Sequence, residues 1–333
     1  MGLTPVFTVI AQSQDITSKI SDRLLSLTIT DNAGIKSDTV EIRLDDKDYT
    51  LELPRTGAKL KVSLGYKETT VEHMGLYLVD EIEMQGPSNI LVIRGKAADM
   101  NKGLKTPKTR TWQNPGKTPT RIPLNEILES IAGEHNLKPK LSHDYRAIDY
   151  DVVNQTNEHD LNLLTRLAGK VGAVAKPASG FLLFVKKGEA KTASGTVIPP
   201  ISLTPKEVTN WRVSIVERGA YASVKAKYRD KAQSKEIEVN TGDEEPAYTI
   251  RKLFKDEAEA TKAASAQLEN FERGKSTVSL QLPGNPLFMA EAPLNLSGFR
   301  DGVNGAWIVE TATHTFNSNG YSVNLDGTVK KEG

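Results

Sequence analysis

Hydrophobic and polar residues alternate along much of the first hundred residues, with the period of two that is typical of half-buried β-strands. Leu25, Leu27 and Ile29 would lie on one face of a strand, and residues 40–44 repeat the pattern. The Asn32-Ala-Gly34 sequence between them favours a turn. We therefore predict a β-hairpin over residues 25–44.

The alternating pattern of residues 50–95 recurs near the end of the chain. Four short segments follow one another in the same order in both places. In the first copy they are residues 50–54, 60–67, 75–82 and 91–95, and their counterparts in the second copy are, in the same order, residues 279–283, 294–300, 305–312 and 323–327. Tyr77 then corresponds to Trp307, and Asp80 to Glu310. Amphipathic strands can resemble one another by chance, but the shared order favours a duplicated β unit. A hairpin of residues 221–228 with 235–239 is expected to be the counterpart of the 25–44 hairpin.

The middle of the chain has a different pattern. Apolar residues at helical spacing predict a helix over residues 123–136 and another that begins with Asn157 as its cap. Residues 173–175 and 181–185 are expected to form a hairpin. A further helix, at 256–271, interrupts the second β unit.

Together these elements predict a mainly β protein with an α+β part, built from short antiparallel strands rather than βαβ units. We expect a first tube-like β-barrel domain at residues 1–100 and a smaller α+β middle domain at 101–205. A second tube-like β-barrel domain is expected at 206–333, with the inserted helix at 256–271.

Composition narrows the function classes. The chain has 333 residues and a net charge of +1, so any electrostatic function must come from a local patch. It has no cysteine, which excludes disulfides, thiolate metal sites and a cysteine nucleophile. No stretch approaches the roughly 20 apolar residues that a membrane span needs, and no signal peptide is evident. A product made in the cytoplasm is expected.

One local patch is basic. Residues 101–121 contain six basic residues and no acidic one, together with Trp112, three prolines and two glycines. The prolines and glycines predict an extended loop. Such a loop could hold a nucleic-acid backbone, but one loop is a small footprint, and a solvated connector is the interpretation that we favour.

Catalytic and phosphate-binding motifs are absent from the sequence, so no catalytic residue, cofactor site or metal site is predicted. The best remaining metal candidates are three histidines and four nearby acidic residues, namely His135, His143, His159, Glu134, Asp144, Glu158 and Asp160. Their spacings match no zinc motif, so surface and capping roles are favoured. Asp45-Asp46-Lys47-Asp48 lacks the glycine and distal glutamate of a calcium loop and is expected to be a solvated turn.

Several short motifs, taken together, resemble the phage late control D protein family. They are Ser26–Asp31 with Ser37-Asp38, Leu64–Tyr66, His73–Gly75, Lys108–Trp112, Tyr150-Asp151, Gln155–Glu158, Trp307–His314 and Gly320-Tyr321. His159 departs from the serine of the family pattern. The chain is also similar to the N-terminal part of type VI secretion spike proteins.

This resemblance implies a structural baseplate hub of a contractile tail. The expected assembly is a homotrimer that joins the six-fold tail tube to a separate trimeric spike protein and to other baseplate proteins. Because the chain ends soon after the second repeat, a hub without a fused spike is expected. Genomic DNA would pass through the channel without specific binding, and the protein would reside in the virion tail baseplate after assembly in the host cytoplasm.

Three copies of a chain with two similar units would present six units in a ring. The candidate residues for protein–protein contacts are Asp80, Glu310, Tyr77, Trp307, Arg110 and Trp112. Two alternatives stay open: a cell-wall-acting enzyme that would use Glu126, Glu129 or Glu134, and a nucleic-acid-binding regulator that would use the basic loop.

Overall fold

The computed structural model of this chain describes residues 2–34, 36–98, 104, 106–114, 116, 121–178, 180–186, 198–215, 221–230, 235–242, 245–273 and 276–329. The chain divides into two compact units. The first comprises Met1–Met100, Val197–Arg212 and Val278–Gly327, and the second comprises Asn101–Thr196, Val213–Thr277 and Thr328–Gly333. Each unit joins segments that are distant in the sequence. The bounds of the three predicted domains stay a prediction.

The elements are numbered in chain order. Up to residue 100 they are β1 (Pro5–Ala11), β2 (Gln14–Asp15), α1 (Thr17–Ile20), β3 (Leu24–Asn32), β4 (Thr39–Asp45), β5 (Lys59–Tyr66), β6 (Val71–Gln85) and β7 (Ile90–Ala97). The middle of the chain forms β8 (Pro107–Trp112), β9 (Ile122–Pro123), α2 (Leu124–Glu134), β10 (Lys138–Leu141), β11 (Asp149–Tyr150), β12 (Val153–His159), α3 (Asp160–Gly169), β13 (Ala173–Ala178) and β14 (Phe181–Lys186). The remaining elements are β15 (Ile201–Leu203), β16 (Asn210–Ile215), β17 (Ser223–Asp230), β18 (Lys235–Thr241), β19 (Ala247–Phe254), α4 (Glu257–Arg273), β20 (Ser276–Pro283), β21 (Pro293–Leu296), β22 (Gly305–Asn317) and β23 (Gly320–Val329).

One large, mostly antiparallel sheet contains two copies of the same strand order. In the first copy the neighbours run β3-β4-β7-β6-β5-β1, and in the second they run β16-β20-β23-β22-β21-β15. The copies differ at the last position, where β1 is antiparallel to β5 but β15 is parallel to β21. The predicted duplication is therefore confirmed at the level of strand order.

The two copies also share their register. Leu60 of β5 lies opposite Tyr77 of β6, and Leu294 of β21 lies opposite Trp307 of β22. These are the residues that the internal repeat of the sequence made equivalent. Because a slip of one residue would turn every side chain to the other face, a shared register means that the two copies bury corresponding side chains.

Two predicted elements of the repeat were wrong. Residues 50–54 form no strand, and the strand that corresponds to β20 is β4. The hairpin at 221–241, β17 with β18, belongs to a separate three-stranded sheet with β19. The counterpart of β3 is instead β16. The sequence pattern did not reveal this strand, although Trp211, Val213 and Ile215 alternate with two polar residues, because the run is only six residues long and is followed by the longer alternating segments of β17 and β18.

The predicted closed barrels are not confirmed. Among the described strands the sheet is an open path, and β3 of the first copy pairs directly with β22 of the second. The predicted hairpin of β3 and β4 is confirmed, with Ile29 opposite Val40. The first unit thus carries both copies in a single continuous sheet.

The second unit holds the helices. Four apolar residues at helical spacing bury one face of α2, and α2 and α3 share a core with the three-stranded sheet β10-β14-β13. The predicted hairpin of β13 and β14 is confirmed. The predicted helix at 256–271 is confirmed as α4, whose alanine-rich face packs on β17, β18 and β19. In the described parts of the chain, no helix is both long and apolar enough to cross a membrane.

The predicted cap and loop of the middle segment were wrong. Helix α3 begins at Asp160, because β12 continues to His159 and Asn157 lies within that strand at a bulge. Asn157 has a φ of 47°, a conformation that asparagine tolerates better than most residues. Residues 107–112 of the predicted basic loop are strand β8, which pairs with β12. Lys102, Lys105 and Lys117 of that stretch lie outside the described residues.

Candidate functional site

A buried carboxylate lies at the centre of the motif residues of the second unit. Asp160, the first residue of α3, has no exposed surface. Lys108 donates a hydrogen bond of 2.6 Å to Asp160 Oδ2, and Arg110 donates one of 2.8 Å to Oδ1. His135 Nε2 lies 2.9 Å from Oδ2. A buried charge is stable only when it is paired and hydrogen-bonded, and Asp160 meets both conditions.

Gln155 links this carboxylate to the two strands. Its Nε2 donates to Asp160 Oδ1 at 2.8 Å and to the Glu158 carbonyl oxygen at 2.8 Å. Its Oε1 accepts hydrogen bonds from Arg110 Nε at 2.9 Å and from Trp112 Nε1 at 3.1 Å. The amide of Gln155 therefore connects two side chains of β8 with β12 and with the first residue of α3.

Glu134, at the end of α2, closes the cluster. It accepts hydrogen bonds from Arg110 Nη1 at 2.5 Å and from Lys108 Nζ at 2.6 Å. The Arg110 guanidinium also stacks over the Trp112 ring, 4.1 Å from its centroid. We call Lys108, Arg110, Trp112, Glu134, His135, Gln155 and Asp160 the ionic cluster; it joins β8, β12, α2 and α3.

The charges of the ionic cluster hold each other ionised. Burial raises the pKa of Asp160, but the hydrogen bonds from Gln155, His135 and Lys108 and the charge of Arg110 outweigh it and lower the pKa to about 2. Burial lowers the pKa of Lys108, but its bonds to Asp160 and Glu134 raise it overall above the ordinary value. At neutral pH the cluster therefore contains ion pairs rather than neutral acids.

The same residues include a candidate metal set. The ligand atoms of Glu134, His135 and Asp160 lie within 4.8 Å of one another. Both carboxylates already accept hydrogen bonds from Lys108 and Arg110, so a metal ion would have to displace two cations. The donor set does not fit a metal ion, and the residues form an ion-pair network.

Of the seven histidine and acidic metal candidates, only these three are brought together. His143 lies in a short 3-10 turn, and His159 is the N-cap residue of α3 but makes no side-chain hydrogen bond to the helix. The buried Nδ1 of His159 has no hydrogen-bond partner in the described part of the chain. Glu158 instead makes a two-point ion pair with Arg166, at 3.0 and 2.7 Å.

A second buried polar group lies in the first unit. His314 of β22 is fully buried, and its Nε2 lies 2.9 Å from the Phe288 carbonyl oxygen. A carbonyl can only accept, so Nε2 carries the proton and Nδ1 accepts from the Tyr321 hydroxyl at 2.8 Å. Burial lowers the pKa of His314 to about 4, against a smaller opposing effect of the Phe288 hydrogen bond. The histidine is therefore neutral at pH 7.

The junction between the two copies is also well defined. Strand β3 lies between β4 and β22, with Thr30 opposite Thr313. The Ala290 N–H donates to Asp31 Oδ2 at 2.8 Å, which fixes the end of the paired strands. Asp31 belongs to the Ser26–Asp31 motif, one of those that carry the family resemblance. The position of this motif between the two copies is known only from the sheet topology.

Three of the six candidate interface residues are buried. Tyr77 and Trp307 lie in the core of the first unit, where each donates a hydrogen bond to a backbone carbonyl a few residues earlier, those of Met74 and Val303. Trp112 is buried beneath Arg110. These aromatic side chains stabilise their own units, and their predicted role in protein–protein contacts stays a prediction.

The three charged candidates lie in different surroundings. Asp80 is exposed and pairs with Lys96. The Glu310 carbonyl oxygen accepts a hydrogen bond of 2.7 Å from the Ala33 N–H, so this residue lies at the junction of the copies. Arg110 belongs to the ionic cluster. An interface role for these three also stays a prediction.

The three glutamates of the alternative enzymatic site have separate partners. Glu126 accepts a hydrogen bond from Asn114 and Glu129 one from Asn125, while Glu134 belongs to the ionic cluster. Glu134 is therefore paired with two cations rather than held as a neutral acid, which a glycosidase acid would have to be.

Comparison with known proteins identifies the family. The sequence model described as phage tail baseplate hub (GPD) matches residues 38–320, most of the chain. This chain belongs to the phage tail baseplate hub family. The predicted resemblance is thereby confirmed.

Two curated relatives support the hub family over nearly the whole chain. The probable baseplate hub protein of Escherichia phage 186 is 30% identical, over 99% of this chain and 94% of the relative. The probable baseplate hub protein of Escherichia phage P2 is 29% identical, over 97% of this chain and 93% of the relative.

Solved structures show the same fold in more distant proteins. A 43 kDa tail protein of prophage MuSo2 from Shewanella oneidensis superposes with a TM-score of 0.74 at 14% identity, covering 97% of this chain and 98% of that one. An E. coli protein described as a component of the type VI secretion system has a TM-score of 0.57 at 13% identity, covering 93% and 74%. The fold of the hub family is thus shared with a secretion-system component.

Proposed function

We propose that this chain is the structural baseplate hub of a contractile phage tail or tail-like particle, a ring-forming adaptor between the six-fold tail tube and a three-fold spike. The observation that carries the proposal is the duplication, with one strand order and one register present twice in a single chain. Family membership supplies the context, because the curated relatives are named as probable baseplate hub proteins.

The duplication supports this role on geometric grounds. Three chains with two similar units each present six similar surfaces, whereas the ring as a whole keeps three-fold symmetry. Such a ring can match a six-fold tube on one side and a three-fold spike on the other. A chain without the repeat would need a further protein to connect the two symmetries.

In this proposal the two copies form tube-like barrels of the ring wall. The order follows the predicted domains, a first barrel at residues 1–100, a middle domain at 101–205 and a second barrel at 206–333, except that β15 (Ile201–Leu203) belongs to the second copy. The segment between β16 and β20, which has its own sheet and α4, is an insertion in the second copy. Closure of the open sheet would come from neighbouring chains.

The partners follow from the position in the tail. We propose a homotrimer that binds a separate trimeric spike protein, the tail tube protein and other baseplate proteins. The hub would be assembled in the cytoplasm of the host and would reside in the virion baseplate. Genomic DNA would pass through its channel without specific binding, because Lys108, Arg110 and Arg121 of the basic stretch are already paired with acidic residues of their own unit.

The role is structural, with no bond made or broken by this chain. A turbidity assay on cell-wall material tests the enzymatic alternative, and we expect no lysis. Lysis that is lost in Glu126→Gln or Glu129→Gln, which leave the ionic cluster intact, would establish that alternative instead.

The stoichiometry of the complex with the spike tests the proposed function directly. The chain and its trimeric spike would be coexpressed, and the mass of the purified complex would be measured by light scattering. Three copies of this chain per spike trimer are expected. Complexes that hold one or two copies per spike trimer, or no complex at all, would contradict the adaptor role.

A further inference from the structure

The long strands of the two copies differ along one edge. In β22, residues 311–317 pair with β3 beyond the point where pairing with β21 ends. In β6 the corresponding residues, 81–85, pair with β7, but pairing with β5 ends at Leu78. Within the described part of the chain, no strand occupies this edge of β6.

A second open edge belongs to β16. Its counterpart β3 has a strand on each side, β4 and β22, whereas β16 pairs with β20 and has no second neighbour among the described strands. Two of its apolar side chains are exposed, Trp211 at 39% and Ile215 at 63%. Open edges of this kind are prone to pair with another chain.

The two open edges are the two halves of one missing contact. Inside the chain, the first strand of one copy pairs with the long strand of the other, as β3 does with β22. The strands that lack such a partner are β16, the equivalent of β3, and β6, the equivalent of β22. The contact between β3 and β22 is made within one chain, whereas the equivalent contact between β16 and β6 can be made with a neighbouring copy.

We propose that β16 of one copy of this protein pairs antiparallel with residues 81–85 of β6 in a second copy, repeating the β3–β22 contact. The contact is head-to-tail, so it generates a closed ring when the rotation between copies allows. This inference rests on the proposed ring-forming function and specifies which strands would join its subunits.

The side chains favour this partner. Three acidic residues of β6, Asp80, Glu81 and Glu83, outnumber the two basic residues of β7 with which they pair, Lys96 and Arg94. Arg212 lies exposed on β16. Opposite charges across two strands stabilise their pairing. The internal junction instead places Thr30 opposite Thr313, so the two kinds of contact differ in chemistry although they share a geometry.

Exposure along β6 supports the missing neighbour. Met84 is 68% exposed, whereas His314, which follows Trp307 at the same spacing as Met84 follows Tyr77, is fully buried. Asp80 is exposed while Glu310 is half-buried at the internal junction. Pairing with a second copy would give this end of β6 the neighbour strand that β22 already has.

Disulfide trapping tests the proposed pairing, and the chain is suited to it because it has no cysteine. Met84→Cys would be combined in turn with Arg212→Cys, Val213→Cys and Ser214→Cys. Residues opposite one another on antiparallel strands have Cα atoms about 4.5–5.5 Å apart, a distance that a disulfide can bridge. The Thr30→Cys/Thr313→Cys pair is the intrachain control, and each single cysteine is the negative control.

The cross-linking would be carried out on the complex with the trimeric spike, after its mass is measured. We expect at least one of the three pairs to give covalent dimers and trimers on non-reducing gels, while the control pair gives only monomers of altered mobility. A three-copy complex in which the control pair closes but no Met84 pair cross-links would overturn the strand pairing and leave the hub role standing. A complex without three copies would overturn both.

A charge reversal gives an independent measurement. Arg212→Glu would place a negative charge against the acidic edge of β6, and we expect it to weaken association of the copies about tenfold or more. Lys206→Glu makes the same change at an exposed residue outside the sheet and serves as the matched control. Equal association of the two variants, measured by analytical ultracentrifugation in the presence of the spike, would contradict the proposal.

Discussion

Replacement of Asp160 by asparagine tests whether the ionic cluster stabilises the second unit. The substitution keeps the size of the side chain but removes its charge and places an amide N–H₂ among groups that are themselves donors. Lys108 and His135 would then lose the acceptor that Asp160 Oδ2 provides, and Lys108 would keep only Glu134. Because Asp160 itself has no exposed surface, water cannot reach its side chain to replace the lost hydrogen bonds.

The expected loss follows from the pKa of Asp160. Its pKa falls from the ordinary 3.8 to about 2, a difference that corresponds to about 2 kcal/mol of stability at neutral pH. The lowered pKa means that this stability is present above pH 3.8 and is lost as the pH falls through about 2. Donor–donor contacts in the variant add to the loss, so we expect Asp160→Asn to cost about 2–4 kcal/mol at pH 7.

Tryptophan fluorescence can follow this unit by itself. Of the three tryptophans only Trp112 belongs to the second unit, so the measurement would use a Trp211→Phe/Trp307→Phe background. Urea unfolding would be compared at pH 7 and between pH 4 and 2. Glu129→Gln, a change at an exposed position of α2, is the control and should stay within about 0.5 kcal/mol.

Two results would refute the reasoning. One is a loss below about 1 kcal/mol in Asp160→Asn at pH 7, which would mean that the buried pairs add little beyond their desolvation cost. The other is a parallel decrease of stability with acid in the variant and the parent, since only the parent should lose the contribution of the carboxylate as the pH falls from 4 to 2.

The remaining predictions concern one histidine and two glycines. The lowered pKa of His314 means that the unfolded chain takes up the proton first, so stability should fall by about 3 kcal/mol as the pH drops from 6.5 to 4. In His314→Gln that decrease, measured by urea unfolding, should be absent; an unchanged pH dependence would contradict the assignment. Gly327→Ala should cost about 1–3 kcal/mol in thermal unfolding, because its Cβ would lie 2.6 Å from the Ile308 carbonyl oxygen. Gly133→Ala in α2, where a Cβ would meet nothing within 4 Å, should raise stability by about 0.5–1 kcal/mol, and a loss there would contradict the model of an exposed helix position.

Local patterns predicted the elements that depend on local forces. The apolar stripe of α2, the alanine-rich face of α4 and the alternation of β3 and β4 each indicated the correct element. The repeat was visible because equivalent residues occupy equivalent positions in the core, as Tyr77 and Trp307 do. Equivalent core positions in the two copies require similar side chains, so the same apolar pattern occurs twice in the sequence.

Long-range pairing could not be predicted in the same way. The strand equivalent to β3 is separated from β20 by the β17–β19 segment, and the hairpin within that segment has the stronger alternating pattern. The ionic cluster was equally hidden, because Lys108 and Asp160 are far apart in sequence and meet only through the β8–β12 pair. The helix start at Asp160 was missed since Asn157 offers a cap whose φ of 47° places it in a strand bulge instead.

The connection between the first two strands of each copy is short in one copy and long in the other. Residues 33–38 join β3 to β4, whereas residues 216–275 join β16 to β20. In the proposed ring, every second position would carry the long connection. The β units of such a ring would repeat with near six-fold symmetry, whereas the long connections would repeat with three-fold symmetry. The difference in length between the two connections therefore lowers the symmetry of the whole assembly.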